Sequence, residues 1–234
     1  MKLHKRLQVK GEPVDIVNEL VVLNLFSPGT ATIVVKSQEA LSGTVAFYCG
    51  YQSKSLKPWF TGVIESSTEV DKDHQRIFCR ELSSLLFLSL PLALRSVNLG
   101  QVLSKVSEKT RLEFSIPESA TYTTTKAPAF YSVANGYFAL DSLAAVFGID
   151  RLLWQQQVDG RIFVGSWNDS KWSGKPVDIP RAWEVQKGAA NTATLPAVPE
   201  LRPGARYNQN ILTSVQFTGT EMKLTWDRDP WANR

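Results

Sequence analysis

The chain is poor in the groups that most often carry out chemistry. Its 234 residues include two histidines and two cysteines. His4 stands near the start and His74 in the charged stretch DKDHQ, neither with a cysteine or carboxylate at zinc-ligand spacing, so no metal site is expected. Cys79 and His74, five residues apart across a turn and a strand, are poorly placed to act as a nucleophilic pair. The sequence has no G-x-S-x-G elbow, no phosphate-binding P-loop and no G-x-G-x-x-G fingerprint. Glu65, Glu69, Asp71 and Asp73 invite comparison with the paired carboxylates of a glycosidase, but beside Lys72 they read better as a solvated turn. Asp141, placed in the first turn of its helix, suits the helix dipole. Neither a catalytic set nor a cofactor site is expected.

Long apolar runs are also missing. The greasiest stretch, LSSLLFLSLPLAL (82–94), is too short to span a bilayer and contains Pro91, so a buried helix or strand pair is expected there. The N-terminal KLHKR is followed by polar residues rather than an apolar core, so a secretory signal is not expected, and a solvated strand end is preferred over a nucleic-acid patch. The net charge of +4 is small, and both signs are interspersed. Cys49 and Cys79 are too few for a disulfide scaffold and read as buried thiols of a reducing compartment. With 43% hydrophobic and 21% charged residues the composition is that of a globular protein, long enough for one large domain or two small ones.

What is present is mainly β. TATIVV (30–35), TVAFYCGY (44–51), WFTGVIESSTEV (59–70) and QRIFCREL (75–82) are rich in β-branched and aromatic residues and separated by polar turns. Val45, Phe47, Cys49 and Tyr51 share one face by the period of two. Such a meander hides its edges by curling into a barrel or small sandwich. The middle differs. Asn98 caps an expected helix LGQVLSKVSEKT with Leu99, Val102, Leu103 and Val106 on one stripe. A strand RLEFSIP and a polar, β-prone or looped link TYTTTKAPAFYS follow. YFALDSLAAVFG predicts a second helix, with Phe138, Leu143, Val146 and Phe147 apolar and Gly148 ending it. LLWQQQVDGRIFVGSW (152–167) predicts a hairpin about the two-residue turn Asp159-Gly160. Residues 168–203, with Pro176, Pro180, Pro196, Pro199 and Pro203, read as an extended connection, and ILTSVQF and EMKLTWD flank a last turn, Thr218-Gly219-Thr220. The expected fold is therefore mainly β with an α/β insert (α+β). Its parts are a first β-barrel (1–90), an insert of two helices and a Trp-rich hairpin (91–180), and a Pro-rich connection with returning strands that complete a barrel (181–234).

Four of the seven tryptophans, Trp154, Trp167, Trp172 and Trp183, fall within thirty residues. With Arg161, Lys171, Lys175, Arg181 and Lys187 among them, they could stack on single-stranded nucleic acid in the manner of an OB-like barrel. Aromatic clusters serve cores and protein interfaces more often, and that reading is preferred. A sugar-processing enzyme would need two facing carboxylates, and no pair stands out.

The order of these parts resembles the tail baseplate hub proteins of bacteriophages, the late control protein D-like family, from about residue 20 to 226. The strand WFTGVIESSTEV, the helix VNLGQVLSKVSEKT, GYFALDSLAAVFGIDRLLWQQQVDGRIFVGSW and the return VPELRPGARYNQNILTSVQF carry the resemblance together. It implies a virion structural protein made late, with tube-like barrels, whose homotrimer ring adapts a sixfold tail tube to a threefold tip and lets DNA pass through its lumen. It implies neighbours on two faces, a tail-tube or distal tail protein and a spike or fibre, no membrane anchor, and assembly in the bacterial cytoplasm before residence at the tail tip. Larger members of the family run well beyond this length, which leaves open whether a spike-docking platform belongs to this chain or to another. A spike component of a contractile secretion apparatus has the same parts and stays open, as does the OB-like module. On this reading the interface residues are Trp154, Gln156, Trp167, Trp172, Trp183, Arg202 and Trp226.

Overall fold

The computed structural model describes every residue except 1, 175, 178, 180–182, 184–185, 188–190 and 233–234. In chain order it contains β1 (His4–Val9), β2 (Glu12–Val14), β3 (Ile16–Asn24), β4 (Thr30–Lys36), β5 (Gly43–Gly50), β6 (Lys57–Asp71) and β7 (His74–Glu81). A 3-10 helix, Leu82–Phe87, leads to β8 (Leu92–Val97), α1 (Leu99–Thr110), β9 (Phe114–Ser115), α2 (Thr121–Thr124), β10 (Ala127–Ser132), α3 (Gly136–Phe147), β11 (Leu152–Gln156) and β12 (Ile162–Ser166). The last strands are β13 (Gln186–Lys187), β14 (Thr192–Pro196), β15 (Arg206–Tyr207), β16 (Asn210–Thr218) and β17 (Glu221–Asp227). The compact units are Met1–Leu82 with Lys175–Arg234, and Ser83–Gly174, where the sequence suggests boundaries near 90 and 180.

The first unit is a rolled antiparallel sheet, ordered β13-β14-β17-β16-β3-β4-β7-β6-β5-β1-β2 with β15 on β16. Period-two alternation builds it. Val45, Phe47 and Cys49 on β5 and Gln75, Ile77, Cys79 and Glu81 on β7 all turn inward. The inner face closes on itself, for Phe217 of β16 meets Phe47 of β5 at 5.4 Å and Trp59 of β6 at 5.6 Å between ring centroids. Tight coiling needs a missing side chain at one point. A Cβ on Gly62 would lie 2.0 Å from the backbone oxygen of Arg80, next to the bulge between Ile64 and Ser66.

The roll has a seam. Only Asp15 separates β2 from β3; β1 pairs with the former (Val9↔Glu12 to Leu7↔Val14) and β16 with the latter (Thr218↔Leu20 to Ser214↔Asn24). Glu19, 4% exposed, sits where these partners meet. Its carboxylate accepts hydrogen bonds from Lys5 Nζ at 2.8 Å and the Gly219 N–H at 3.0 Å, and its carbonyl accepts one from Thr218 Oγ1 at 3.1 Å. A buried carboxylate is tolerable only with such partners.

In the second unit α1 begins at the expected cap. Asn98 Oδ1 accepts the Gln101 N–H at 2.9 Å and Gln101 Oε1 accepts the Asn98 N–H at 3.0 Å, a reciprocal capping box. Leu99, Val102, Leu103 and Val106 are buried as the stripe predicts. α3 is capped by Asn135 and ends at Gly148 in the left-handed region, φ 65°. Its first residue presses on the 3-10 helix, and a Cβ at Gly136 would stand 2.8 Å from both the backbone oxygen and the Cδ2 of Leu86.

The structure corrects several expectations. Because α3 starts at Gly136, Asp141 falls in its second turn, and Phe138 points outward, 53% exposed. The loop of the β11–β12 hairpin has three residues rather than two: the Gln157 N–H bonds Arg161 O at 2.7 Å, the Gly160 N–H bonds Gln157 O at 3.1 Å, and Gly160 takes φ 88°. RLEFSIP pairs over Phe114–Ser115 alone, parallel to β12. The greasy run gives a 3-10 helix and then β8, which pairs with β10. Part of the expected connection 168–203 is sheet, since β14 pairs with β17 from Thr192↔Thr225 to Pro196↔Glu221 and buries Ala193 and Leu195; its proline stands at the strand end, where a missing N–H does least harm. Pro180, Lys175 and Arg181 lie outside the described residues. Cys49 and Cys79 are both buried, as expected, on strands that β6 separates.

Candidate functional site

Among the described residues the candidate titratable groups lie apart from one another, save His74 beside Asp71. Among the described residues no three His, Cys, Asp or Glu side chains lie close enough to share a metal ion. His74 Nδ1 pairs with Asp71 Oδ1 at 2.8 Å on the outer turn, where hydrogen bonds from the Asp73 N–H and His74 hold the Asp71 carboxyl below its ordinary value. Glu65 pairs with Arg80 Nε at 2.5 Å. Cys49 and Cys79 are free thiols, both pushed up to about 12 by burial, which suppresses the nucleophilic thiolate. The N-terminal basic residues are used within the sheet: Lys5 on Glu19, and Arg6 at 4.4 Å over the Tyr48 ring.

The seven expected interface residues divide by burial. Trp154 is 5% exposed, stacked on Tyr137 at 5.5 Å, and its Nε1–H donates to Asp141 Oδ1 at 2.9 Å. Gln156, 2% exposed, accepts the Ser83 N–H on Oε1 at 3.0 Å. Trp167 is likewise buried. Trp172, half-buried, donates from Nε1 to Gln155 Oε1 at 3.1 Å, with Lys171 Nζ at 4.5 Å over its ring. Three of these four therefore lie within the insert's own interior, so an adjacent protein would find them already occupied. Trp226, half-buried, packs on Tyr207 at 5.0 Å. Of the seven, Trp183, 50% exposed, is the one that stands at the surface.

Arg202 is a clamp inside the rolled sheet. Its Nη1–H donates to Trp59 O at 2.6 Å and Nη2–H to Glu81 Oε1 at 3.3 Å, while Glu81 Oε2 accepts the Gly29 N–H at 2.7 Å. Burial pushes the Glu81 carboxyl up, and the guanidinium and the Gly29 N–H oppose it; the arginine itself stays protonated. The loop bearing Arg202 is further tied by Trp59 Nε1–H to Leu201 O at 3.3 Å and Tyr51 O–H to Ala197 O at 2.7 Å. This loop lies against the inner residues of β6 and β7, and Arg202 fixes it there.

Two surfaces that the sequence does not announce remain available. One is a groove in the rolled-sheet unit, a cavity of about 730 Å³ lined by Tyr51, Trp183, Pro196, Ala197, Val198 and Pro199, among others. Lys57 and Glu200, both largely exposed, pair across its rim at 3.7 Å. The other lies on the insert, where Phe87 is 72% exposed, Val133 88%, and Leu88, Tyr131 and Phe138 more than half. The Leu90 N–H to Ala134 O bond at 2.8 Å and the Ser89↔Asn135 bridge bring these segments together. The one signal in the sequence is an absence of charge: residues 82–94 and 127–140 contain no Asp, Glu, Lys or Arg.

No model of a known protein family matches the chain. An uncharacterised 58.7 kDa protein from the lys 3' region of Haemophilus phage HP1 is 26% identical over 225 residues. The match covers 96% of this chain and 42% of that protein, so the chain spans less than half the length of this relative. In structure the chain is similar to the 43 kDa tail protein of prophage MuSo2 from Shewanella oneidensis, with a TM-score of 0.69, 11% identity and 97% of each chain covered. It is similar to a tail protein from Neisseria meningitidis MC58, with a TM-score of 0.68, 10% identity, and 98% of this chain and 97% of that one covered. A component of the type VI secretion system of E. coli, described as similar to phage T4 tail proteins gp27 and gp5, gives 0.58 at 13% identity over 94% of this chain and 76% of that one. At these identities the likeness is one of fold. The chain has the mostly β, curled-sheet fold found in phage tail proteins.

Proposed function

We propose that this chain is a structural component of a phage or prophage tail, the hub at the distal end of the tail tube, of the late control protein D-like kind. The observation that supports it best is the likeness to a phage tail protein over 97% of both chains, insert included. In this role three copies form a ring that meets a sixfold tube on one face and a threefold spike or fibre on the other, with DNA passing through the lumen. The chain acts by shape and adhesion rather than by catalysis, in keeping with scattered carboxylates and thiols held unreactive. Ring assembly from one chain requires heterologous contacts that close.

Immunogold labelling of purified particles with antibodies to this chain tests the reading. Label at the distal tail tip is expected; label along the tube, on the head or absent from particles overturns it. A second reading, a spike component of a contractile secretion apparatus, draws on the likeness to the E. coli secretion protein, whose TM-score of 0.58 is lower than that of the tail proteins. Recovery of the chain in a cell-envelope injection complex, with phage particles free of it, would favour that alternative.

A further inference from the structure

We infer that the apolar platform on the insert of one copy docks into the groove of the rolled-sheet unit of a second copy of this chain. The inference rests on the ring proposed above and names the surfaces that build it.

The platform begins with local structure. The 3-10 helix ends at Phe87, so Phe87 and Leu88 leave it with their side chains outward, while Leu86 beneath them is fully buried against Gly136. The close approach at Gly136 sets the start of α3 beside this turn, and Tyr137 lies at 6.4 Å from the Phe87 ring. Tyr131 and Val133 alternate outward along β10 and its extension, and Phe138 faces out from α3. Five large side chains, each more than half exposed, present on the order of 500 Å² of apolar surface, at the upper end of what an isolated monomer shows and more than half of one side of a standard interface.

Charge narrows the partner. The two segments that carry the platform are free of charged residues in a chain that is 21% charged. Nucleic acid is held chiefly through phosphate charge, and these two segments supply no cation to meet it. It suits a second apolar surface that carries no net charge, because no unpaired charge is then stripped of water. The groove is such a surface. Its walls are largely prolines, alanine, valine and aromatic rings, and its one rim pair, Lys57 with Glu200, is mutually neutralised. At about 730 Å³ it falls in the range of pockets that bury most of a drug-sized molecule, enough for the projecting Phe87 and Leu88 side chains. Both surfaces belong to the same sequence and differ from each other, which is the condition for a head-to-tail contact.

The test is molar mass by light scattering after size exclusion for the wild-type chain, Phe87→Glu and Trp183→Glu. The wild-type chain is expected at three times 26.1 kDa and each variant at 26.1 kDa. An equimolar mixture of the variants is expected at twice 26.1 kDa, since one intact platform and one intact groove remain between them. Both side chains are exposed, so melting temperatures equal to wild type are expected; should Phe87→Glu melt earlier, Val133→Glu takes its place. A wild-type monomer, a variant that keeps the wild-type mass, or a mixture that stays monomeric overturns the inference. A wild-type monomer does so even where another tail protein covers the platform. Tail-tip label together with unaffected masses would leave the hub reading standing and remove this contact; the expected masses without tip label would do the reverse.

Discussion

The two units hide different balances of polar group. Inside the rolled sheet the buried polar side chains among the described residues are Glu19, Gln75, Glu81 and Arg202, three of the four charged. Inside the insert they are Ser83, Thr110, Thr123, Ser132, Gln155, Gln156, Ser166 and Ser170, all neutral. The difference follows from what each group must hold. A rolled sheet has to join chain segments far apart in sequence, and a charge-assisted hydrogen bond enforces one geometry strongly because breaking it strands a charge. The insert is tied by a capping box, a hairpin ladder and an amide contact across 73 residues, all made by neutral groups. It places its liability outside instead, as exposed apolar surface.

The largest effect that sharpens this contrast is chemical. Both thiols lie in the rolled-sheet unit, buried and pushed up to about 12, so iodoacetamide at pH 8 is expected to leave them untouched in the native chain and to modify both in urea. Mass spectrometry at intermediate urea then reads the opening of that unit alone, and rapid native labelling would refute the closed sheet. Next is Arg202→Met, which leaves Glu81 buried without its cation and is expected to cost about 3–5 kcal/mol in urea unfolding. Adding Glu81→Gln, which keeps an acceptor for Gly29, is expected to recover much of the loss; a harmless single variant would show that the clamp holds nothing. In the insert, Gln156→Ala strands the Ser83 N–H and is expected to cost about 1–3 kcal/mol, with no dependence on salt. Asn98→Ala removes half of the capping box for about 1 kcal/mol, read by the same unfolding curve.

The smallest effect depends on pH. Asp159 is opposed by partial burial, but hydrogen bonds from the Arg161 side chain and N–H hold its carboxyl below the ordinary value. A carboxyl lowered in the fold adds stability above its unfolded pKa and loses it as pH falls through the folded one. Asp159→Asn is therefore expected to lower the melting temperature slightly at neutral pH and not at all in strong acid. An equal shift at both would point to lost hydrogen bonding rather than charge.

Much of the fold is legible in the sequence because local rules agree with the final packing. Asn98, the 99–106 stripe and Gly148 mark helix ends by capping chemistry that needs no tertiary partner. β5 and β7 alternate as the period of two predicts, whereas β4 buries Ile33, Val34 and Val35 in succession and β6 buries Trp59 beside Phe60. β3 is hidden because its alternation is inverted at one point, with Glu19 inward and Leu20 40% exposed. Nothing local announces that inversion, since Glu19 faces inward for the sake of Lys5 and Gly219, the latter 200 residues away. Prolines conceal β14, whose pairing needs donors only between them. The candidate site is harder to read. Composition shows that Trp154 and Gln156 are present but not that Asp141 and Ser83 already satisfy them, and the uncharged stretches that form the exposed platform look like core.

The seam at Glu19 has a consequence for the order in which the chain folds. Its three partners come from β1 and from the end of β16 with the turn that follows it, so it cannot close on a ribosome until residue 219 has emerged. Contacts of such long range are slow to form, because the intervening chain gives up its freedom before the contact repays it. The insert, one contiguous stretch of sequence, has no such wait. It is expected to be folded while β3 still offers an unpaired edge to whatever strand arrives first. In a crowded assembly of identical chains, β16 of the same molecule has to win that edge before the β16 of another can take it.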